Sequence, residues 1–120
     1  MGRGKLVRDR IPEIIRANGE VPATRVADGA EYQRLLVAKL SEEVLEFIAS
    51  EDPAELADIM EVVVALADGL GIGQSGLEKL RAEKAAERGG FSQRIVWSGN
   101  HPAGSVPARD GAVSLLGTAG

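Results

Sequence analysis

An all-α fold is the prediction, and three observations lead to it. Apolar residues recur at helical spacing through the middle of the chain, four stretches carry helix start and stop residues, and aromatic side chains are scarce. With one Trp, one Tyr and two Phe among 120 residues, any core must be built from Leu, Ile, Val and Ala. A chain of this length forms one domain with a modest core.

The first helix is expected over about Ile11 to Asn18, with Pro12 at an early helical position and Gly19 as its stop. A connector follows from Glu20 to Gly29, in which Val21, Thr24 and Val26 suit extended backbone. The second helix should run from about Ala30 to Ser50, with Asp28 or Gly29 near its start. Leu36, Leu40, Val44, Phe47 and Ile48 then share one face. Asp52-Pro53-Ala54-Glu55 opens the third helix: Asp52 as cap, Pro53 in the first position, Glu55 where a capping box needs a carboxylate. That helix should reach about Leu70 and stop at Gly71, with Ile59, Val62, Val63 and Leu66 on its apolar face. Ser75-Gly76-Leu77-Glu78 repeats the capping-box pattern and opens a fourth helix, which Gly89-Gly90 ends. Phe91 to Trp97 reads as a short extended piece paired with Thr24 to Val26. Residues 1–98 form the expected domain, and 99–120 a flexible tail rich in Gly, Ala and Pro. The short loop near Ser50 to Asp52 makes the second and third helices an antiparallel hairpin in a four-helix bundle.

Composition narrows the function classes. No Cys is present, so thiolate metal sites and disulfides are out. No apolar run approaches the roughly 18 residues a membrane helix needs, and Met1 to Lys5 does not lead into a signal-peptide core. A soluble cytoplasmic protein is the expectation. The net charge of −4 is unevenly spread, with bases toward the two ends and acids between them. That distribution suits a small polyanion held between metal-loaded acids and nearby cations. Extended nucleic acid is disfavoured, because no continuous basic face is evident.

The acids carry the chemistry. Glu42-Glu43-Val44-Leu45-Glu46 lies on the second helix and Glu55-Leu56-Ala57-Asp58 on the third. Helical spacing puts Glu43 with Glu46, and Glu55 with Asp58. On the helical wheel Glu43 borders the apolar stripe and Glu46 lies just beyond it. Glu55 falls inside the edge of its own stripe, Asp58 on the flank and Glu61 further out. Between Lys39 and Lys79 there is no Lys or Arg, so no local cation is expected to neutralise them. Converging carboxylates with oxygen ligands suit a hard divalent cation. A solvated face is the commoner meaning of acid pairs on one helix, and Glu55 could serve only as a capping residue.

These residues resemble the signature of the MazG-like all-α nucleotide pyrophosphohydrolases, in which Glu42-Glu43-x-x-Glu46 is followed by Glu55-x-x-Asp58. Lys5-Leu6-Val7-Arg8-Asp9-Arg10-Ile11-Pro12-Glu13-Ile14-Ile15, Lys39-Leu40-Ser41-Glu42-Glu43 and Arg88-Gly89-Gly90-Phe91 are similar to the small phosphoribosyl-ATP-pyrophosphohydrolase-like branch. The resemblance spans about residues 5 to 97. It implies Mg²⁺-dependent hydrolysis (Mn²⁺ as an alternative) between the α- and β-phosphates of a nucleoside triphosphate. The implied metal ligands are Glu43, Glu46, Glu55 and Asp58, with Glu42 in support. It also implies a homodimer, or a tetramer, with the site near the subunit interface. The chain departs from many relatives in having eight residues between Glu46 and Glu55.

Other residues have weaker claims. Lys84 and Arg88, four apart near the end of the fourth helix, could reach substrate phosphates or simply complement the helix terminus. Arg94, Arg8 and Lys5 are candidates for the same task, and Lys5 and Arg8 could instead pair with a neighbouring subunit. Glu61 is a further ligand or base candidate, though a solvated position explains it as well. Histidine-pathway enzymes tend to carry His there, which favours a house-cleaning role over phosphoribosyl-ATP hydrolysis. Trp97 and Tyr32 are expected in core or interface packing, and His101 has no assigned role. A non-enzymatic helical module that binds a partner through its acids is the alternative of a different class.

Overall fold

A computed structural model describes residues 4–104. Four helices are present in it, α1 (Ile11–Ala17), α2 (Gly29–Ser50), α3 (Pro53–Gly69) and α4 (Gly73–Arg88), and no strand occurs among the described residues. The fold is all-α. Two compact units divide the chain after Glu78, and each is described by itself. No helix among the described residues is long and apolar enough to cross a membrane.

The first unit is organised by the hairpin of α2 and α3, the helices that pack on each other within it. Local chemistry sets its ends. The Asp28 carboxylate accepts from the Glu31 N–H at 2.8 Å and starts α2. Glu51 ends α2 in the left-handed region at φ 53, donating its N–H to the Phe47 carbonyl at 2.7 Å. One residue later Asp52 accepts from the Ala54 N–H at 2.9 Å, and Pro53 begins α3. Two residues therefore separate the helices, and a link this short holds them antiparallel.

Leu36 of α2 and Val62 and Ala67 of α3 are the buried apolar residues among those described. Leu40, Phe47, Ile59, Val63 and Leu66 are half-buried beside them. Val44 and Ile48, expected on the same buried face of α2, are exposed. With one partner helix, α2 covers only the narrow stripe that faces α3. Within the first unit α2 and α3 form the hairpin, and the short α1 precedes it in the chain.

Helix starts differ from expectation where two signals compete. Gly73 adopts φ 65 and opens α4 two residues before Ser75, with the Ile72 carbonyl taking the Gly76 N–H at 3.1 Å. Ser75 lies inside the helix, so the Ser75–Glu78 pattern does not mark its cap. Gly89, at φ 84, ends it as anticipated.

The strand pairing expected between Thr24–Val26 and Phe91–Trp97 is not formed. Residues 21–27 run without regular structure, and Val21 and Val26 are almost fully exposed. Phe91 to Gln93 make a turn closed by the Arg94 N–H on the Phe91 carbonyl at 3.1 Å. An isolated two-stranded ribbon with no covered face is marginal in water. Tyr32 and Trp97, expected in packing, are both partly exposed; the Trp97 indole N–H donates to Asn100 at 2.9 Å. Of the expected tail, residues 105–120 lie outside the described residues.

Candidate metal centre

The hairpin register decides where the acids meet. Glu43 lies past the midpoint of α2, while Glu55 and Asp58 occupy the first turns of α3, and the antiparallel turn brings these stretches side by side. One carboxylate oxygen from each of Glu43, Glu55 and Asp58 lies within 4.8 Å of the other two. Such proximity lets three ligands share one divalent cation.

Two oxygens in this group test whether a cation fits. Glu43 is buried, at 6% relative exposure, and its Oε1 has no hydrogen-bond partner. Glu55 Oε2 is buried and unpartnered as well. A buried carboxylate oxygen without a donor carries a large desolvation cost, so a cation would answer both. The donor set, all carboxylate oxygen, suits a hard divalent cation. Glu55 does not reach back to complete a capping box. Asp52 gives its side chain to Ala54, and the Glu55 N–H is taken by the Asp52 carbonyl at 2.9 Å.

Burial, followed by a hydrogen bond with Glu46 and the Glu46 charge, pushes the Glu43 carboxyl above its ordinary range. Glu46 is exposed and stands next to Glu43 rather than within the trio. Glu42 is driven the other way. Hydrogen bonds from Lys5 at 2.9 Å and Lys39 at 3.2 Å hold its carboxyl below the usual range.

Cations do reach the cluster, contrary to expectation. Lys39 lies 3.6 Å from Glu43, one helical turn away, and Arg8 places Nη2 at 2.6 Å from Asp58 Oδ1. Lys39 was missed as a site residue although its i,i+3 and i,i+4 spacing to Glu42 and Glu43 is legible. Arg8 and Lys5 come from 50 and 37 positions away, beyond any local pattern. Their partners lie within their own chain, so the inter-subunit pairing considered for them is not needed.

A groove of about 610 Å³ runs beside the trio. Its walls include Lys5, Arg8 and Arg10 of the N-terminal segment, and Lys39, Glu43, Asp58 and Glu61 of the hairpin. Glu61 is exposed on that wall, one turn beyond Asp58. Lys84, Arg88 and Arg94 belong to the second unit. There Arg88 sits in the last turn of α4 with its Nε 3.8 Å from Glu87, and Arg94 adopts φ 58 in the turn after the helix.

The chain is 53% identical over 47 residues to an uncharacterised protein of Mycolicibacterium smegmatis. The match covers 39% of this chain and 48% of that protein, so the chain spans about half the length of the relative it matches. No family model and no solved structure matches it.

Proposed function

We propose that the protein is a Mg²⁺-dependent nucleoside triphosphate pyrophosphohydrolase, cleaving between the α- and β-phosphates to release monophosphate and pyrophosphate. One observation carries the reading: buried, unpartnered oxygens of Glu43 and Glu55 lie in a group with Asp58 that fits one divalent cation. The resemblance of the two acidic motifs to the MazG-like signature supplies the reaction type. In this reading the protein is a cytoplasmic homodimer, and a tetramer is the larger alternative.

Glu43, Glu55 and Asp58 would hold the ion, with Glu46 as the fourth carboxylate. Bound Mg²⁺ would offset charge on the phosphate oxygens and make a coordinated water more acidic. The chain's own residues do the rest. Glu61, on the groove wall, would accept a proton from water, while Lys5 and Arg8, on the same wall, would offer positive charge to the phosphates. Glu42 steadies this arrangement by holding both Lys5 and Lys39.

The test is product analysis by ion-exchange chromatography, using a panel of nucleoside triphosphates with Mg²⁺ and an Asp58→Asn control. Monophosphate and pyrophosphate are expected, with turnover lower by at least about 100-fold for Asp58→Asn, the scale of removing a key transition-state interaction. Diphosphate and orthophosphate would refute the bond assignment. Absence of turnover across a panel that includes phosphoribosyl-ATP would favour a binding module.

A further inference from the structure

Asp58 is claimed twice. Its carboxylate belongs to the trio that fits a cation, and it also receives the Arg8 guanidinium at 2.6 Å. Two positive groups on one small carboxylate repel each other at short range, so occupancy by one weakens the other. Lys5 is held differently. Its hydrogen-bond partner is Glu42, which stands outside the trio, so a cation held by the trio does not claim that oxygen. The N-terminal segment therefore has one contact, at Lys5, that the cation does not claim and one, at Arg8 three residues on, that it does.

We infer that Arg8 and the divalent cation compete for Asp58, and that Arg8, once displaced, is the group that meets substrate phosphate in the adjoining groove. This rests on the metal reading above. Arg8 lines the groove and its side chain is half-exposed, so a rotamer change moves the guanidinium without uprooting Lys5. The exchange couples the two ligands. A phosphate that draws Arg8 away frees Asp58 for metal, and metal that takes Asp58 frees Arg8 for phosphate; such coupling is reciprocal. Arg8 is then a phosphate-binding residue that ties metal loading to the arrival of a polyphosphate. Its magnitude is bounded by the ion pair. Both side chains are more than a third exposed, so the pair is weak, and releasing Asp58 should change metal affinity only about threefold to fivefold.

The experiment is a Mn²⁺ titration of the 120-residue chain without nucleotide, read by the loss of the free-ion electron paramagnetic resonance signal. Wild type, Arg8→Ala, Lys5→Ala and Asp58→Asn are compared, with circular dichroism as the folding control. Arg8→Ala should bind Mn²⁺ about threefold to fivefold more tightly than wild type. Lys5→Ala removes the same charge from the same segment but leaves Asp58 paired, so its gain should be clearly smaller. Equal or weaker binding by Arg8→Ala, or an equal gain from Lys5→Ala, would overturn the exchange while leaving the metal site intact. Wild type and Asp58→Asn binding Mn²⁺ equally poorly would instead overturn the metal reading, and the exchange with it. Should Arg8→Ala lose its helical signal, Arg8→Gln must show the same tightening.

Discussion

Burial of Glu43 works against its charge, and Glu46 beside it adds to the effect. The sign of the resulting pH dependence follows. A carboxyl whose folded value is raised favours the fold when protonated. That contribution is full below the ordinary carboxylate range and is lost as pH rises through the raised value. Glu42, lowered by Lys5 and Lys39, does the reverse: its contribution holds above the ordinary range and is lost as pH falls through the lowered value. In EDTA, Glu43→Gln should therefore stabilise the protein at pH 7 by on the order of 1 kcal/mol, from removing a buried unpaired charge. The gain should shrink as pH falls toward 4.5, the ordinary value for this group. Urea denaturation across that pH range checks it, and a less stable Glu43→Gln at pH 7 would make the carboxylate structural. The same variant should weaken Mn²⁺ binding, since a metal needs the ionised form. Residues of this trio were legible in the sequence because helical spacing and a short hairpin fix their side. Arg8 and Lys5 were legible as candidate cations, but their pairing with Asp58 and Glu42 was not, because a chain segment with no periodicity carries them to the hairpin.

At the scale of the elements, the hairpin link of Glu51 and Asp52 holds the site in register. Asp52 caps α3 through its side chain, and Glu51 closes α2 only by entering the left-handed region, where a side chain is strained. Glycine has no such strain. Glu51→Gly should raise stability by about 0.5–1 kcal/mol if relief of strain outweighs the added freedom of the unfolded chain. Thermal unfolding should then show a Tm a few degrees higher, whereas a lower Tm would mean that the Glu51 side chain contributes something beyond the backbone turn. Local signals of this kind explain why helix existence was legible from Pro12, Asp28, Asp52-Pro53 and Gly89. They failed at α4, which starts at Gly73, two residues ahead of the Ser75–Glu78 capping-box pattern. They failed again for Thr24–Val26, because β-branched residues form strands only against a surface they can cover.

For the whole molecule the balance of apolar surface matters most. Leu36, Val62 and Ala67 are the buried apolar residues among those described, while Leu45, Ile48 and Met60 are each more than 60% exposed. On α2, Val37, Val44, Leu45 and Ile48 recur at helical spacing, which makes one exposed apolar stripe along the helix. A hairpin with an exposed apolar stripe gains by covering it, and two hairpins packed face to face would do so. The proposed homodimer should use this stripe. Sedimentation at micromolar concentration is expected to show a dimer whose Tm rises with protein concentration, as mass action requires when folding and association are linked. Ile48→Glu should shift it toward monomer and lower helical content, because a charge placed in an apolar interface is left unpaired. The charge lies two positions beyond Glu46, so Mn²⁺ binding should be measured in parallel. Weaker binding in step with dissociation would tie the metal centre to the dimer, and a wild-type monomer with a concentration-independent Tm would mean the stripe serves no self-association.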